Sequence, residues 1–250
     1  MKIVHFLYKK QALWGVLDKN IIKILKGSPF LKINYSKKTI ELKKVKLLVP
    51  AMPQKIVLVG LNYKNHAKEL KMKIPKQPII FLKPVSALNA HMKDIKLPNN
   101  VKRLDYEAEL AIIIKKKAYN ISEAKALKYV LGYTCLNDIT ARDIQKEDGQ
   151  WTRAKSFDTF CPVGPCIETG IDASNVMVRT YLNGELKQES STAQLIFSVP
   201  FLISFISKVM TLLPGDIIST GTPPGVGRMK PGDLIEVSID GIGVLRNKVI

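Results

Sequence analysis

Short apolar runs separated by turn residues constrain the fold of this chain more than any other feature, because such runs are typical of β-strands. Residues 109–115, ELAIIIK, form the strongest run and are rich in β-branched side chains. Residues 55–60, KIVLVG, predict a second buried strand. Helical spacing occurs in only a few stretches, and no strand–helix–strand unit repeats along the chain. The pattern therefore predicts an α+β fold that is mainly β, and not a doubly wound sheet.

The distribution of these runs predicts two units. The first 50 residues hold short runs broken by turn residues, IVHFLY, ALWGVL, NIIKIL and KTIELKKVKLL. Residues 49–53, VPAMP, then carry two prolines, which disfavour regular structure. We therefore expect a small β-rich N-terminal unit and linker at 1–53, followed by a larger domain at 54–250.

Three stretches have helical character. The first covers residues 62 to about 72 and is closed by Pro75. The second begins at Ser122, a residue typical of helix starts, and would end at Gly132. The third lies near Pro200, where apolar residues recur at helical spacing.

The net charge of +18 raises the question of a polyanionic partner. Only six of the 39 basic residues are arginine, the residue that reads phosphates and bases through bidentate contacts. The lysines are spread along the whole chain. This distribution favours a solvated surface, and we expect no nucleic-acid partner.

The location of the protein is constrained by two further features. No apolar run approaches the roughly 18 residues of a membrane-spanning helix, and lysines interrupt the N-terminal apolar stretch, which is not typical of a secretion signal. The three cysteines have no metal-ligand spacing, so buried thiols are expected. A cytoplasmic protein without a membrane partner is predicted.

Acidic residues lead directly into the strongest predicted strand. Glu107 and Glu109 are two positions apart, so on a strand they point to the same face. Two like charges at the edge of a core are costly unless a cation lies between them, and carboxylate oxygens suit Mg²⁺, Mn²⁺ or Ca²⁺. An isolated E-x-E is more often a solvent-facing acidic strand. Asp105 points to the same face as the two glutamates. Its alternative role is to form local hydrogen bonds that stabilise the start of the strand.

Further motifs accompany the acidic pair in a fixed order. They are GLNYKNHAKE at 60–69, FLKP at 81–84, LNDITARD at 136–143, QWTRAKSFD at 150–158 and STGTPPGVG at 219–227. Together with the acidic pair, these motifs resemble the fumarylacetoacetate hydrolase family, in its single-domain branch of acylpyruvases, oxaloacetate decarboxylases and diene-dioate isomerases. The resemblance extends from about Lys55 to the C-terminus.

The resemblance implies a mixed β-roll, a homodimer and one Mg²⁺ or Mn²⁺ per subunit. It also implies roles for particular residues. The metal ligands would be Glu107, Glu109 and Asp138, and a lid helix would carry His66 and Glu69 over the substrate. Lys155 would lie beside the metal, and the substrate side would include Arg142, Gln145, Thr222 and Lys83. Asn65 departs from the family motif, in which an acidic residue is common.

The spacing of His66 and Glu69 by itself also suggests a function for this pair. Residues three apart on a helix share a face, and a carboxylate that orients an imidazole suits acid–base work on water. An isolated H-x-x-E is usually a surface ion pair, and only the surrounding motif favours the catalytic interpretation. His5 and His91 have no such context and are expected to be structural.

A three-carboxylate site leaves about three positions of an octahedral ion open, and a 2-oxo acid would fill two of them with its carboxylate and oxo oxygens. Several reactions pass through the resulting metal-bound enolate. We favour hydrolysis of an acylpyruvate-type 2,4-dioxo acid to pyruvate and a carboxylic acid. Oxaloacetate decarboxylation, isomerisation of an unsaturated 2-oxo diacid and dehydration of a 2-oxo sugar acid remain alternatives. A lysine-rich polyanion-binding protein with a degenerate metal site is the alternative from another class.

Overall fold

The computed structural model describes all 250 residues, and strands dominate it. Five strands occupy the N-terminal unit: β1 (Lys2–Tyr8), β2 (Gln11–Asp18), β3 (Ile21–Leu25), β4 (Tyr35–Glu41) and β5 (Lys46–Leu47). The predicted linker at 49–53 contains no helix or strand. The boundary at residue 53 stays a prediction, because β1 pairs with a strand of the larger domain.

The middle of the chain forms the strands and short helices that carry most of the sequence motifs. They are β6 (Ile56–Val59), α1 (Lys64–Glu69), β7 (Ile80–Lys83), β8 (Leu88–Ala90), β9 (Leu104–Tyr106), β10 (Ala108–Ile114), β11 (Val130–Asn137), β12 (Thr140–Ala141), α2 (Arg142–Asp148), α3 (Thr152–Lys155) and β13 (Cys161–Glu168).

The C-terminal part adds one longer helix and six strands. Its elements are β14 (Met177–Leu182), β15 (Glu185–Ser191), α4 (Val199–Val209), β16 (Ile217–Ser219), β17 (Gly227–Met229), β18 (Leu234–Ile239) and β19 (Gly243–Lys248). The Ser198 hydroxyl accepts a hydrogen bond from the Phe201 amide, and Pro200 lies in the first turn, so α4 begins as the sequence predicts.

Three sheets make up the fold. The largest has 12 strands and runs β4-β3-β2-β1-β13-β11-β10-β16-β6-β7, with β5 beside β1 and β8 beside β13. A four-stranded sheet has the order β15-β14-β18-β19, and a three-stranded sheet has the order β12-β9-β17. The large sheet mixes parallel and antiparallel pairs. The prediction of a mainly-β, mixed fold is therefore confirmed.

Strand β10 is buried along its whole length because both of its faces are covered. Leu110 and Ile112 pack in the largest hydrophobic cluster together with residues of β14 and β18. Ala111 and Ile113 belong to a second cluster, which includes residues of β6 and β13. A third cluster lies among β9, β12 and α2. Glu107 lies between β9 and β10, with Tyr106 of the third cluster before it and Ala108 of the first cluster after it.

The second predicted helix is shorter than the sequence indicated. Residues Glu123–Tyr129 form a 3₁₀ helix, and Val130 already begins β11, so a helix reaching Gly132 was wrong. Pairing with β10 decides this, because Gly132 opposes Ile113 in the antiparallel ladder. A Cβ at Gly132 would lie 2.5 Å from the Glu168 carbonyl oxygen, so the glycine serves close strand contact rather than a helix end.

None of the helices has the length and apolarity needed to cross a membrane. The three cysteines are free and buried, as predicted. Burial raises the pKa of the Cys161 thiol to about 12 and that of Cys166 to about 11.

Candidate active site

Three carboxylates converge at the junction of β9, β10 and β11. Glu107 precedes β10, Glu109 lies within it, and Asp138 directly follows β11. Antiparallel pairing places Ala108 opposite Asn137, which brings the end of β11 beside the two glutamates. One ligand atom from each carboxylate lies within 4.8 Å of the others, and all three side chains are buried. The sequence-predicted metal residues are thus brought together.

The two glutamates have opposite electrostatic surroundings. The Lys155 Nζ lies 3.0 Å from a Glu107 oxygen, and Arg142 also donates to this carboxylate. Burial opposes ionisation of Glu107, but these two cations outweigh it and hold its pKa well below the ordinary value. The two cations therefore favour the ionised form of Glu107.

Glu109 has no cation of its own. It accepts hydrogen bonds from the Ser219 hydroxyl and, at 2.9 Å, from the Gly221 amide. Burial, reinforced by the charge of Asp138, raises the pKa of Glu109 well above its ordinary value. The proton that this environment favours would have to leave before Glu109 could bind a cation.

Lys155 and Lys83 hold Asp138 from two sides. Lys155, in α3, is buried and donates to Asp138 as well as to Glu107. Lys83 is buried at the end of β7, and its Nζ lies 2.9 Å from Asp138 Oδ1. That ammonium is nevertheless directed at the carbonyls of Ile139, Lys155 and Phe160. Lys83 therefore lies behind the carboxylate and not among the residues that line the cavity.

The chemistry of the donor set fits a hard divalent cation. Three carboxylates supply oxygen ligands, which Mg²⁺ and Mn²⁺ prefer. Asp138 Oδ1 is buried, and its close neighbour, the Lys83 ammonium at 2.9 Å, directs its three hydrogens to backbone carbonyls, so this oxygen receives no hydrogen bond. A cation held between Asp138, Glu107 and Glu109 would satisfy this atom.

Arg142 is held by protein groups at the first turn of α2. Its guanidinium donates to Asp105 at 2.9 Å, to Gln145 at 2.6 Å and to Glu107. Asp105 also pairs with Arg103, so this carboxylate braces the arginines and lies outside the metal triad. The sequence left this local role open, and the structure supports it.

The predicted lid pair forms on α1. His66 Nδ1 lies 2.7 Å from Glu69 Oε2, and the other Glu69 oxygen accepts a hydrogen bond from the Gly225 amide at 3.1 Å. Helix α1 spans only six residues, and Asn62 anchors its start by donating to the carbonyl of Thr220. His66 lines the same cavity as the triad.

The loop at 219–227 connects the triad to the lid. Gly221 donates to Glu109, Gly225 donates to Glu69, and Thr222 between them lines the cavity. Gly221 has a φ of +90°, and a Cβ there would lie 2.9 Å from the Asn62 side chain, so only glycine fits. The Gly/Pro-rich motif at 219–227 therefore forms a loop that borders the site.

The cavity enclosed by these elements has a volume of about 230 Å³. Small cavities of this kind suit small-molecule substrates. All predicted site residues except Glu69 and Lys83 line it, and Glu69 contacts His66 directly. His5 stacks on Trp14, and His91 accepts a hydrogen bond from the Arg246 amide, so both lie in structural contacts.

Sequence reasoning missed several residues that shape the site. Gln188 donates to Thr222 and accepts from the Ala108 amide, which lies between the two glutamates. Asn137 accepts a hydrogen bond from the Glu107 amide. Phe81 and Trp151 form an edge-to-face pair in the cavity wall. Both aromatics lay inside quoted motifs, which was the available signal, whereas Gln188 had none.

Comparisons with known proteins identify the family of this chain. A family model described as fumarylacetoacetate (FAA) hydrolase C-terminal matches residues 55–250, and one described as Rv2993c-like, N-terminal matches residues 1–50. An uncharacterized protein of Methanocaldococcus jannaschii is 59% identical over 197 residues, which are 79% of this chain and 83% of the relative.

Two further relatives carry names that state an activity. A mitochondrial oxaloacetate tautomerase, fahd2, of Xenopus laevis is 42% identical over 219 residues, covering 82% of this chain and 69% of the relative. The crystal structure of a 5-carboxymethyl-2-hydroxymuconate delta-isomerase from Mycobacterium smegmatis is 39% identical, with a TM-score of 0.95 over 100% of this chain and 99% of that one. The family resemblance read from the motifs is thus confirmed: this chain belongs to the fumarylacetoacetate hydrolase family, whose members are enzymes.

Proposed function

We propose that this chain is a divalent-metal-dependent enzyme that binds a small 2-oxo acid and stabilises its enolate, and that its reaction is hydrolysis of an acylpyruvate-type 2,4-dioxo acid. The observation that supports it best is that one cavity brings together two groups of residues. We call the side formed by the carboxylate triad the floor of the cavity, and the side formed by α1 with the His66–Glu69 pair its cover. A binding module would need the triad but would have no use for an oriented imidazole above it.

The triad would hold Mg²⁺ or Mn²⁺, which would act as a Lewis acid toward the carboxylate and 2-oxo oxygens of the substrate. The chain's own residues fix the geometry around that position. Lys155 and Arg142 keep Glu107 ionised, while Lys83 and Lys155 fix Asp138. Lys83, Glu107, Asp138 and Lys155 are buried, and charge interactions between buried groups are stronger than in water.

In the hydrolysis reaction, His66 on the cover would carry the proton. With Glu69 holding Nδ1, the Nε2 atom of His66 would accept a proton from water, and the hydroxide would add to the C4 carbonyl. The C3–C4 bond then breaks, and its electrons form the enolate of pyruvate while C4 becomes the carboxylic acid. The proton held on His66 returns to C3 and completes pyruvate.

Isomerisation is the second candidate, and the names of the relatives favour it. Moving a proton between an enol oxygen and a carbon needs the same enolate and the same imidazole, but no water is consumed. The two reactions share one site, so only the products separate them.

The test is an assay of a small panel of 2-oxo acids with and without Mg²⁺ or Mn²⁺. Release of pyruvate and a carboxylic acid in equal amounts supports hydrolysis. Deuterium exchange at C3 in D₂O without pyruvate release supports isomerisation instead. Absence of any metal-dependent turnover or exchange across the panel would contradict the proposed function as a whole.

A further inference from the structure

The active-site cavity is divided into a charged floor and an apolar rim. Every charged residue that lines it belongs to the triad or contacts it, namely Glu107, Glu109, Asp138, Arg142 and Lys155. The rim is formed by side chains without charge, among them Leu70, Met72 and Ile79. Since a 2-oxo acid head would occupy the floor, the rest of the substrate would extend along this rim.

Apolar side chains of the rim are unusually exposed. Leu70 is 49% exposed, Met72 is 54% exposed and Ile79 is 49% exposed. The positions of Leu70 and Met72 are set by the end of α1, because the Leu70 amide donates to the His66 carbonyl and the Met72 amide donates to the Ala67 carbonyl. Neighbouring exposed apolar groups of this kind typically mark a binding surface.

Aromatic rings continue this surface down to the floor. The Lys155 Nζ lies 5.2 Å from the centre of the Phe81 ring, and Phe81 meets Trp151 with ring centroids 5.1 Å apart. Trp151 packs against Gly60, where a Cβ would come within 3.0 Å of the indole. Gly60 in turn donates its amide hydrogen to the Ile79 carbonyl, so the apolar wall runs from beside the triad to the rim.

Apart from His66, whose Nε2 the proposed hydrolysis commits to the reacting water, no cationic side chain of the cavity is free to bind a second carboxylate on the substrate. Lys155 donates to Glu107 and Asp138, and Arg142 donates to Asp105, Gln145 and Glu107. A carboxylate placed against the rim would lose water and gain no partner, which is costly. An alkyl or aryl tail would instead bury apolar surface there.

We propose that Leu70, Met72, Ile79, Phe81 and Trp151 form a subsite for an apolar alkyl or aryl tail, so the substrate is a monocarboxylic 2-oxo acid and not a dicarboxylate. This inference rests on the proposed function, because it takes the 2-oxo acid head to lie on the triad. It separates this chain from relatives whose names state diacid substrates, such as oxaloacetate.

Binding of unreactive substrate mimics tests the subsite without catalysis. Oxamate carries the head group of a 2-oxo acid, and its nitrogen can carry tails of chosen length. Calorimetric titrations in Mn²⁺ would compare N-methyl, N-ethyl, N-propyl and N-butyl oxamates with N-(2-carboxyethyl)oxamate. We expect affinity to rise roughly threefold per added methylene, with N-butyloxamate at least about tenfold tighter than the carboxyethyl compound.

Two contrary results have different meanings. Metal-dependent oxamate binding with equal or stronger affinity for the carboxyethyl compound would overturn the subsite and leave the proposed function intact. If oxamate itself failed to bind in the presence of Mn²⁺, the proposed function would fail, and the subsite with it.

A pair of substitutions locates the subsite. Ile79→Lys places a cation on the rim and should shift the preference toward N-(2-carboxyethyl)oxamate by at least about tenfold. Ile74→Lys is the matched control, because Ile74 is 57% exposed on the same segment but does not line the cavity. Its preference should equal that of the wild type. Equal shifts in both variants, or no shift in Ile79→Lys, would overturn the assignment.

Discussion

The floor and the cover of the cavity are built in contrasting ways. On the floor, Glu109 and Asp138 are each 1% exposed. Glu109 is fixed by its place in β10 and by hydrogen bonds from Ser219 and Gly221, and Asp138 is fixed by two buried lysines. The cover is a helix of six residues, and its Glu69 side chain is 43% exposed. Ordered sheet strands can hold a charge pattern within fractions of an ångström, whereas a short exposed helix can rearrange.

This difference suggests a division of labour. The floor would determine that a 2-oxo acid binds and forms an enolate, which several reactions share. The cover would determine which proton moves and which tail is accepted, because His66 and the rim side chains Leu70 and Met72 belong to it. Changes to the floor should therefore abolish all activities together, while changes to the cover should separate them.

The largest effect is expected from neutralising the floor. Glu107→Gln, Glu109→Gln and Asp138→Asn should each remove most activity toward every substrate, because each removes a ligand charge. Steady-state rates at saturating Mg²⁺ across the 2-oxo acid panel would measure this. A variant that lost one reaction and kept another would break the proposed division between floor and cover.

The next effect concerns the cover alone. His66→Ala should reduce acylpyruvate hydrolysis by about 10²–10⁴-fold, the usual loss for a general base. Much of any oxaloacetate decarboxylation should remain, since that reaction needs no activated water. Rates for both substrates on one enzyme preparation would show the separation.

Lys68→Ala provides the control for His66→Ala. Lys68 is exposed on the same helix and does not line the cavity, so both rates should stay at the wild-type level. Unchanged hydrolysis in His66→Ala would return this histidine to a surface role.

The contrast between the two glutamates predicts how metal affinity depends on pH. Because the pKa of Glu109 is raised, the metal-free protein keeps a proton on this carboxyl at pH values between the ordinary pKa of 4.5 and the raised pKa. A metal that binds in this pH window must displace the proton. Apparent affinity should therefore increase with pH in that window, by up to about tenfold per unit, and level off above it. Titrations of Mn²⁺ in buffers of different ionisation enthalpy would detect the released proton. Affinity independent of pH, with no proton released, would contradict this.

Stability of the metal-free protein should separate the same two residues. Glu107→Gln removes one partner from Lys155 and Arg142 and should destabilise the fold by up to about 3–5 kcal/mol. Glu109 has a raised folded-state pKa, so its ionisation lowers stability as pH rises through the window. Glu109→Gln should therefore keep or raise the melting temperature at neutral pH. Thermal unfolding of both variants without metal would test the contrast, and a larger loss for Glu109→Gln would reverse it.

The sequence predicted the floor better than the cover, for a physical reason. Strand periodicity places both glutamates of the E-x-E on one face. Strand pairing in the sheet then brings the acidic residue after the next strand beside them. The predicted helix over 62–72 is present but spans only 64–69, and the contact of its last residue with the distant Gly225 is one that no local pattern records. Local propensity also favoured a helix through Gly132, which tertiary pairing with β10 overrode. The position of Lys83 behind Asp138 and the role of Gln188 depend on contacts between distant segments, which no local pattern records.

The smallest effect is expected for polyanions. Lysines scattered over the surface give an attraction that weakens steeply with salt. At near-physiological ionic strength, neither duplex DNA nor RNA should bind tightly, and floor variants should behave as the wild type does. Sub-micromolar binding that survives such salt would bring back the polyanion-binding alternative.

The central claim is that Glu107, Glu109 and Asp138 together hold one divalent cation. Electron paramagnetic resonance of free Mn²⁺ during a titration of the protein tests it most directly. The wild type should bind one Mn²⁺ per chain, each of the three single variants should lose that binding, and Asp105→Asn, a carboxylate on the same segment outside the triad, should keep it. Wild-type affinity in any triad variant would contradict the assignment of the metal site.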